Sequence, residues 1–148
     1  MSPAHKLCAG RKNMALQPRK MKYAKWQKGR SKGIAMRGTE LSFGSFGLKS
    51  LETKWITVQQ IEAARLAISR ALKKKVKMWI RIFPHKPITS KGSEADMGGG
   101  KGKVIHYVFP VRPGRVIFEL GEMEEETAKK VLKKAAAKLP VKTKFIKR

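Results

Sequence analysis

Acidic residues are scarce in this sequence. Ten Asp and Glu stand against 35 Lys and Arg over 148 residues, which gives a formal net charge of +25. An excess of this size opposes compaction by self-repulsion unless counter-charge is bound, so we expect a polyanionic partner. We favour nucleic acid over an anionic membrane surface or an acidic protein, because phosphates reward many Lys and Arg contacts through counterion release.

Cysteine and long apolar runs are also rare. Cys8 is the single cysteine, so an internal disulfide is impossible and a reducing compartment fits. No run approaches the roughly 18 apolar residues of a transmembrane helix, and residues 1–15 lack the apolar segment of a secretory signal. We therefore expect a cytoplasmic protein with no membrane partner. An organellar transit peptide stays open, since residues 1–39 carry eleven Lys and Arg and no acid.

Residues suited to catalysis or metal binding are few and scattered. His5, His85 and His106 have no paired cysteine or histidine at metal-ligand spacing. Half of the acids lie at 119–126, where they suit the first turn of a helix and complement its dipole. The glycine-rich stretch 98–103 lacks the GxxxxGK[ST] pattern of a phosphate-binding loop and precedes a strand rather than a helix. We predict no enzymatic activity, no metal site and no cofactor.

The apolar residues predict an α+β fold. Alternation favours strands at 41–51, 76–83, 104–111, 116–120 and 141–146. Helical spacing favours a helix from Thr57, which has capping-box form with Gln60, and a second helix that starts at the acidic cluster and ends before Pro140. A tight turn at 112–115 predicts a hairpin. The expected architecture is an antiparallel or mixed sheet with two helices packed on one face.

Two segments stand apart from this pattern. Residues 1–39 form a basic arm, and residues 40–148 form the single α+β domain. Within the domain, residues 84–103 form a polar loop of about 20 residues with no predicted structure, a length that is usually functional or disordered. We expect the two flanking strands to present this loop to a partner.

The candidate RNA-binding residues are cations of the arm and of the domain, together with two aromatic rings that suit stacking on bases. In the arm they are Arg19, Lys20, Lys22, Tyr23, Lys25, Trp26, Lys28, Arg30, Lys32 and Arg37. In the domain they are Arg65, Arg70, Arg81 and Lys86. The alternative for these cations is that they are solvated and contact no RNA. For Arg81 the alternative is a place at the edge of a thin apolar layer. We expect the arm to be poorly ordered until RNA binds.

Eight stretches resemble, in the same order, the family of the bacterial large-subunit ribosomal protein sixteen, the universal L-sixteen/L-ten-e family. They are QPRK (17–20), KGR (28–30), SFGSFGLK (42–49), QIEAAR (60–65), WIRIFPHKPIT (79–89), MGGGKG (97–102), RPGRVIFE (112–119) and AAAKLPVKTKF (135–145). The resemblance implies an α/β-hammerhead type fold, binding to large-subunit (23S-type) rRNA, and a place beside the tRNA sites near the peptidyl transferase centre. It further implies neighbouring ribosomal proteins as partners, no homo-oligomer, and no enzymatic activity.

The chain departs from the family pattern in two places. Residues 1–13 precede the usual start and are interpreted as an extension, a misassigned start upstream of Met14, or an organellar addition. In the loop, Asp96 stands where the family has an arginine, and Gly99 stands where it has a lysine. Residues implied to face tRNA are Lys91, Met97, Gly98, Lys101 and Lys103. A free-standing RNA-binding regulator or RNA chaperone is the alternative function.

Overall fold

The computed structural model describes residues 16–72, 76–92 and 98–148. In these ranges the strands are β1 Phe46–Ser50, β2 Lys54–Thr57, β3 Met78–Ile80, β4 Lys86–Ser90, β5 Lys103–Val111, β6 Val116–Leu120 and β7 Thr143–Lys147. The helices are α1 Val58–Leu72, between β2 and β3, and α2 Glu125–Ala136, between β6 and β7. The predicted α+β class is confirmed.

The strands divide between two antiparallel sheets instead of forming one. The larger sheet has the order β3-β6-β1-β7, and the smaller sheet has the order β2-β5-β4. The predicted hairpin is wrong, because β5 and β6 lie in different sheets. The tight turn itself is present, with the N–H of Arg115 bonded to the carbonyl of Arg112 at 3.2 Å. Other backbone groups of the turn bond to β1 of the larger sheet: the N–H of Gly114 donates to the carbonyl of Ser50 at 2.7 Å, and the N–H of Ser50 donates to the carbonyl of Arg115 at 2.8 Å.

Each helix buries one apolar face, as the helical spacing of its apolar residues predicts. Val58, Ile61, Ala64, Ile68 and Leu72 are the buried residues of α1. Ala128, Val131, Leu132 and Ala135 are the buried residues of α2. The helices pack on each other, while α2 also contacts β1 and β7, and α1 contacts β2 and β5. Together they close the core that lies over the fully buried strand β6.

The predicted capping box at the start of α1 is confirmed. The backbone N–H of Thr57 donates to Oε1 of Gln60 at 3.0 Å, and the N–H of Gln60 donates to Oγ1 of Thr57 at 3.3 Å. Each side chain thus satisfies an amide that the first helical turn leaves without a partner. The pair defines where the helix begins.

The predicted long loop 84–103 is wrong over its first half, because β4 occupies Lys86–Ser90. In β4, Pro87 pairs with Tyr107 and Ile88 pairs with His106 of β5. The prolines suggested a loop, but β4 lies at the edge of its sheet, where a residue without an N–H is tolerated. The loop proper therefore begins after Ser90, and residues 93–97 of it lie outside the described part of the chain.

Several strands also differ from the prediction. Of the strand predicted at 41–51, only the second half forms a strand, β1. Of the strand predicted at 76–83, only the three residues of β3 form one. The short strand β2 was not predicted. Four residues with one fully buried side chain, Ile56, are too few for alternation to be recognised.

Candidate nucleic-acid interface

A buried carboxylate organises the residues just before β1. Glu119, next to the last residue of β6, is fully buried, and its Oε2 accepts the backbone N–H groups of Phe43 at 2.8 Å and Gly44 at 3.0 Å. Arg81 donates to its other oxygen, Oε1. These bonds hold residues 42–44 across the end of β6, which explains why that stretch is not a strand.

The pKa of Glu119 lies below its ordinary value. Burial pushes this pKa up, since it disfavours the charged form. The backbone N–H groups of Phe43, Gly44 and Ser42, followed by the charge of Arg81, outweigh that effect. The carboxylate is therefore ionised and structural, in agreement with the structural interpretation of the acidic cluster.

An aromatic ring and a cation cover this carboxylate at the surface. The ring of Phe43 stacks on Trp79 with centroids 6.0 Å apart, and the Arg81 guanidinium carbon lies 4.9 Å from the Phe43 centroid. The side chain of Arg81 is only 18% exposed, whereas Phe43 is 61% exposed. Arg81, a predicted RNA-binding residue, thus has its charge paired with Glu119 inside the protein. The exposed group at this surface is the ring of Phe43, which the sequence pattern did not indicate as a binding residue.

Lysine side chains join the arm to the smaller sheet. Lys86 is buried, donates to the carbonyl oxygen of Lys28, and has its ammonium 4.8 Å from the ring centroid of Trp55. Lys101 donates to the carbonyl of Trp26, and Lys25 donates to the carbonyl of Lys101 at 2.6 Å. These contacts place the arm beside the base of the loop that follows β4.

The two aromatic residues of the arm differ in their surroundings. The indole N–H of Trp26 donates to the carbonyl of Tyr23 at 3.2 Å, and its ring lies against His85 with centroids 5.5 Å apart. His85 in turn meets Phe109 edge-on at 5.6 Å. Tyr23 is 66% exposed, with the Lys22 ammonium 5.5 Å from its centroid. Tyr23 is therefore the more accessible stacking surface.

The end of the arm wraps the turn between β5 and β6. The N–H of Ala35 donates to the carbonyl of Pro113, and the N–H of Val116 donates to the carbonyl of Gly38, both at 2.9 Å. Gly38 has φ +66°, and a Cβ there would clash with the guanidinium of Arg115. Only glycine satisfies both requirements without strain. Whether the arm is disordered before RNA binding stays a prediction.

Most of the other sequence-predicted residues lie at the surface. The exposed ones are Arg19, Lys20, Lys22, Lys25, Lys28, Arg30, Lys32, Arg37, Arg70, Lys91, Gly98, Lys101 and Lys103. Arg65 is half-buried and forms two hydrogen bonds to the carboxylate of Glu62, at 2.6 and 2.9 Å. That hydrogen bonding, reinforced by the charge of Glu62, raises the pKa of Arg65. Met97 lies outside the described residues.

Two arginines of the turn, Arg112 and Arg115, were not among the predicted sites. They stand with Arg37 around one cavity. The signal available in the sequence was the RPGR motif, in which two cations flank a Pro-Gly turn. The motif predicts a turn from its Pro and Gly, but nothing in its spacing indicates that the two arginine side chains meet Arg37 at one cavity.

The described residues contain no group of three or more His, Cys, Asp and Glu placed to hold a metal ion. None of the helices in this part of the chain is both long and apolar enough to cross a membrane. What the structure does bring together is a set of exposed cations, partly exposed rings and cations turned inward onto backbone carbonyls.

Comparison with known proteins identifies the family. The model of the family described as ribosomal protein L16p/L10e matches residues 18–146. The large ribosomal subunit protein uL16 of Porphyromonas gingivalis is 56% identical over 131 residues, covering 88% of this chain and 91% of the relative. The protein of the same name from Methylacidiphilum infernorum is 54% identical over 136 residues, covering 92% and 95%. This chain belongs to the ribosomal protein L16p/L10e family.

Proposed function

We propose that this protein binds large-subunit rRNA and lies beside the tRNA sites near the peptidyl transferase centre, where it supports subunit assembly and tRNA positioning. As a member of its family, the chain is a structural constituent of the large ribosomal subunit and not an enzyme. The observation that supports the finer placement is the docking of an acid-free basic arm next to the base of a lysine-bearing loop.

The arm supplies the main rRNA surface. Between residues 16 and 39 it carries eight Lys and Arg and no acid. Those cations are exposed, so they are available to phosphates. A protein that makes 6–10 phosphate contacts loses roughly 10³–10⁵ in affinity between 50 and 200 mM salt. Binding to rRNA is therefore strongly salt-dependent, with the ring of Tyr23 adding a stacking contact.

The loop that follows β4 is the part that approaches tRNA. Lys91, Lys101 and Lys103 lie at its base and are exposed. Gly98, Gly99 and Gly100 all have positive φ, between 61° and 121°, with open space where a side chain would be. Backbone without side chains can approach a phosphate closely. Lys101 also bonds to Trp26 and Lys25 of the arm. The arm that contacts rRNA and the loop that contacts tRNA are therefore held together by the same hydrogen bonds.

Cosedimentation tests this placement. We expect the full chain to migrate with large subunits in stoichiometric amount at moderate salt. Recovery far below stoichiometry would instead favour a free-standing RNA-binding protein and would overturn the proposal.

Charge reversal to Glu tests the arm. Reversal of Arg19, Lys20, Lys28 and Arg30 is expected to reduce incorporation into subunits strongly. The matched control reverses Lys133, Lys134, Lys138 and Lys144, which are equally exposed and lie near the C-terminal end of the chain. Equal loss in both variants would show a dependence on net charge alone, and unchanged incorporation of the arm variant would show that the arm is a passive tail.

A further inference from the structure

A cavity of about 290 Å³ lies where the arm wraps the turn between β5 and β6. Three arginines, Arg37, Arg112 and Arg115, share its wall with the ring of Phe109, and no acidic residue lines it. This volume leaves room for a phosphodiester group with its first waters. Arg37 and Arg112 are exposed at its rim.

Arg115 forms the inner wall, and no carboxylate in the described part of the chain forms an ion pair with it. Its guanidinium donates to the carbonyl oxygens of Arg37 at 2.7 Å and Arg81 at 3.2 Å. Its Nε is buried and has no hydrogen-bond partner among the described residues. Burial, together with the nearby charge of Arg81, lowers the pKa of Arg115.

The neighbouring arginine is in a different position. Arg81 pairs with the buried carboxylate of Glu119, whereas no carboxylate in the described ranges forms an ion pair with Arg115, Arg37 or Arg112. A desolvated cation without an opposite charge is unfavourable, and an anion in the adjoining cavity supplies that charge. The protein therefore reaches a lower free energy when the cavity holds an anion.

We propose that this cavity binds a backbone phosphate of an RNA strand, with Arg37 and Arg112 as its direct ligands and Arg115 as the charge behind them. The inference rests on the proposed rRNA-binding function and adds a defined subsite to it. Guanidinium groups present paired N–H donors that match phosphate oxygens. The ring of Phe109 offers an apolar surface to the adjoining ribose.

The site has a structural consequence for the arm. Arg115 bonds to the carbonyl of Arg37, and Arg37 is itself a proposed phosphate ligand. A phosphate seated between Arg37 and Arg112 bridges the arm and the turn, so RNA binding fastens the arm where it leaves the domain.

The main variant is Arg112→Gln in the full chain. Arg112 is exposed and makes none of the hydrogen bonds that hold the arm, whereas Arg115 does, so replacing Arg115 would disturb folding as well as binding. Binding of purified large-subunit rRNA is measured by filter retention over a series of KCl concentrations. We expect affinity to fall about tenfold, the loss typical of one charge-assisted contact, and the salt slope to fall by about 0.9.

The matched control is Arg148→Gln. It removes the same charge from an exposed arginine that does not line this cavity, and we expect a clearly smaller loss. A second measurement uses phenylglyoxal, which modifies accessible arginines. Bound rRNA is expected to protect Arg37 and Arg112, while inorganic phosphate at the same ionic strength is not.

The outcomes separate this inference from the proposed function. If rRNA binds but Arg112 stays reactive, or Arg112→Gln binds as well as Arg148→Gln, the subsite is refuted and the proposed function stands. Protection by inorganic phosphate equal to that by rRNA would assign the cavity to a free anion and refute the RNA strand as its occupant. If the wild-type chain does not bind large-subunit rRNA at all, the proposed function itself fails.

Discussion

Replacing Glu119 by Ala removes the carboxylate on which the segment before β1 depends. The change leaves the N–H groups of Phe43 and Gly44 without their acceptor and leaves Arg81, which is 18% exposed, without its counter-charge. Breaking a buried pair in this way costs about 3–5 kcal/mol, because the remaining charge stays desolvated. We therefore expect the free energy of unfolding to fall by about 4 kcal/mol, a large part of the roughly 5–15 kcal/mol of a typical domain.

Glu119→Gln removes the negative charge of the side chain but keeps its size and shape. The amide keeps an acceptor for the backbone N–H groups but loses the charge, and hydrogen bonds to charged groups are worth about 1.5–3 kcal/mol. We expect a loss of about 2 kcal/mol. The double variant Glu119→Gln with Arg81→Met should regain part of that loss, since the unpaired cation is then also removed.

Urea unfolding followed by tryptophan fluorescence measures these differences, because Trp79 stacks on Phe43 directly above the carboxylate. Glu126→Gln is the control for net charge. It also removes one acid, but from an exposed pair with Lys130 at 3.7 Å, and is expected to leave stability nearly unchanged. If Glu119→Ala changed the free energy of unfolding by less than 1 kcal/mol at an unchanged m-value, the structural role assigned to Glu119 would be refuted.

Two further predictions concern pH and the arm. The folded state lowers the pKa of Glu119 below 4.5. The contribution of the Glu119 carboxylate to stability is therefore present above pH 4.5 and is lost as the pH falls through the lower pKa of the folded state. Unfolding measured over a series of acid pH values should show this Glu119-dependent loss in the wild type and not in Glu119→Gln. Gly38→Ala places a Cβ at positive φ and against Arg115, so we expect the loss of stability to exceed the roughly 1–2 kcal/mol of the left-handed backbone alone and the arm to be proteolysed faster. Gly33→Ala, with positive φ but open space, should show only that backbone effect. Equal effects of the two glycine variants would contradict the proposed contact with Arg115.

The cations of this chain fall into two groups that net charge does not distinguish. Lys86, Lys101 and Arg115 donate to carbonyl oxygens of the arm, and Arg81 pairs with Glu119. These residues hold the arm and the segment before β1 in place. Apart from Lys25, which donates to the carbonyl of Lys101, the exposed cations of the arm have no such role among the described contacts, so they are the better candidates for phosphate binding. Of the four domain residues predicted to bind RNA, only Arg70 is exposed.

The features that the sequence by itself determined are local or compositional. The helices follow from apolar spacing over three or four residues, and the start of α1 follows from two side chains three positions apart. The class of partner follows from an excess of 25 positive charges, which no arrangement of the chain can neutralise internally. The motifs also carried the family resemblance, since they depend on order along the chain and not on its path in space.

Only the tertiary structure decided which cations are matched and how the strands divide. Arg81 and Glu119 are 38 positions apart, and Arg115 and the Arg37 carbonyl are 78 apart. No local pattern therefore indicates that Arg81 pairs with a carboxylate while Arg115 bonds only to carbonyl oxygens among the described residues. Likewise, Pro87 is acceptable in β4 only because that strand lies at an edge, a property of the whole sheet. Pairing energies depend on distances through space, and the fold alone sets those distances.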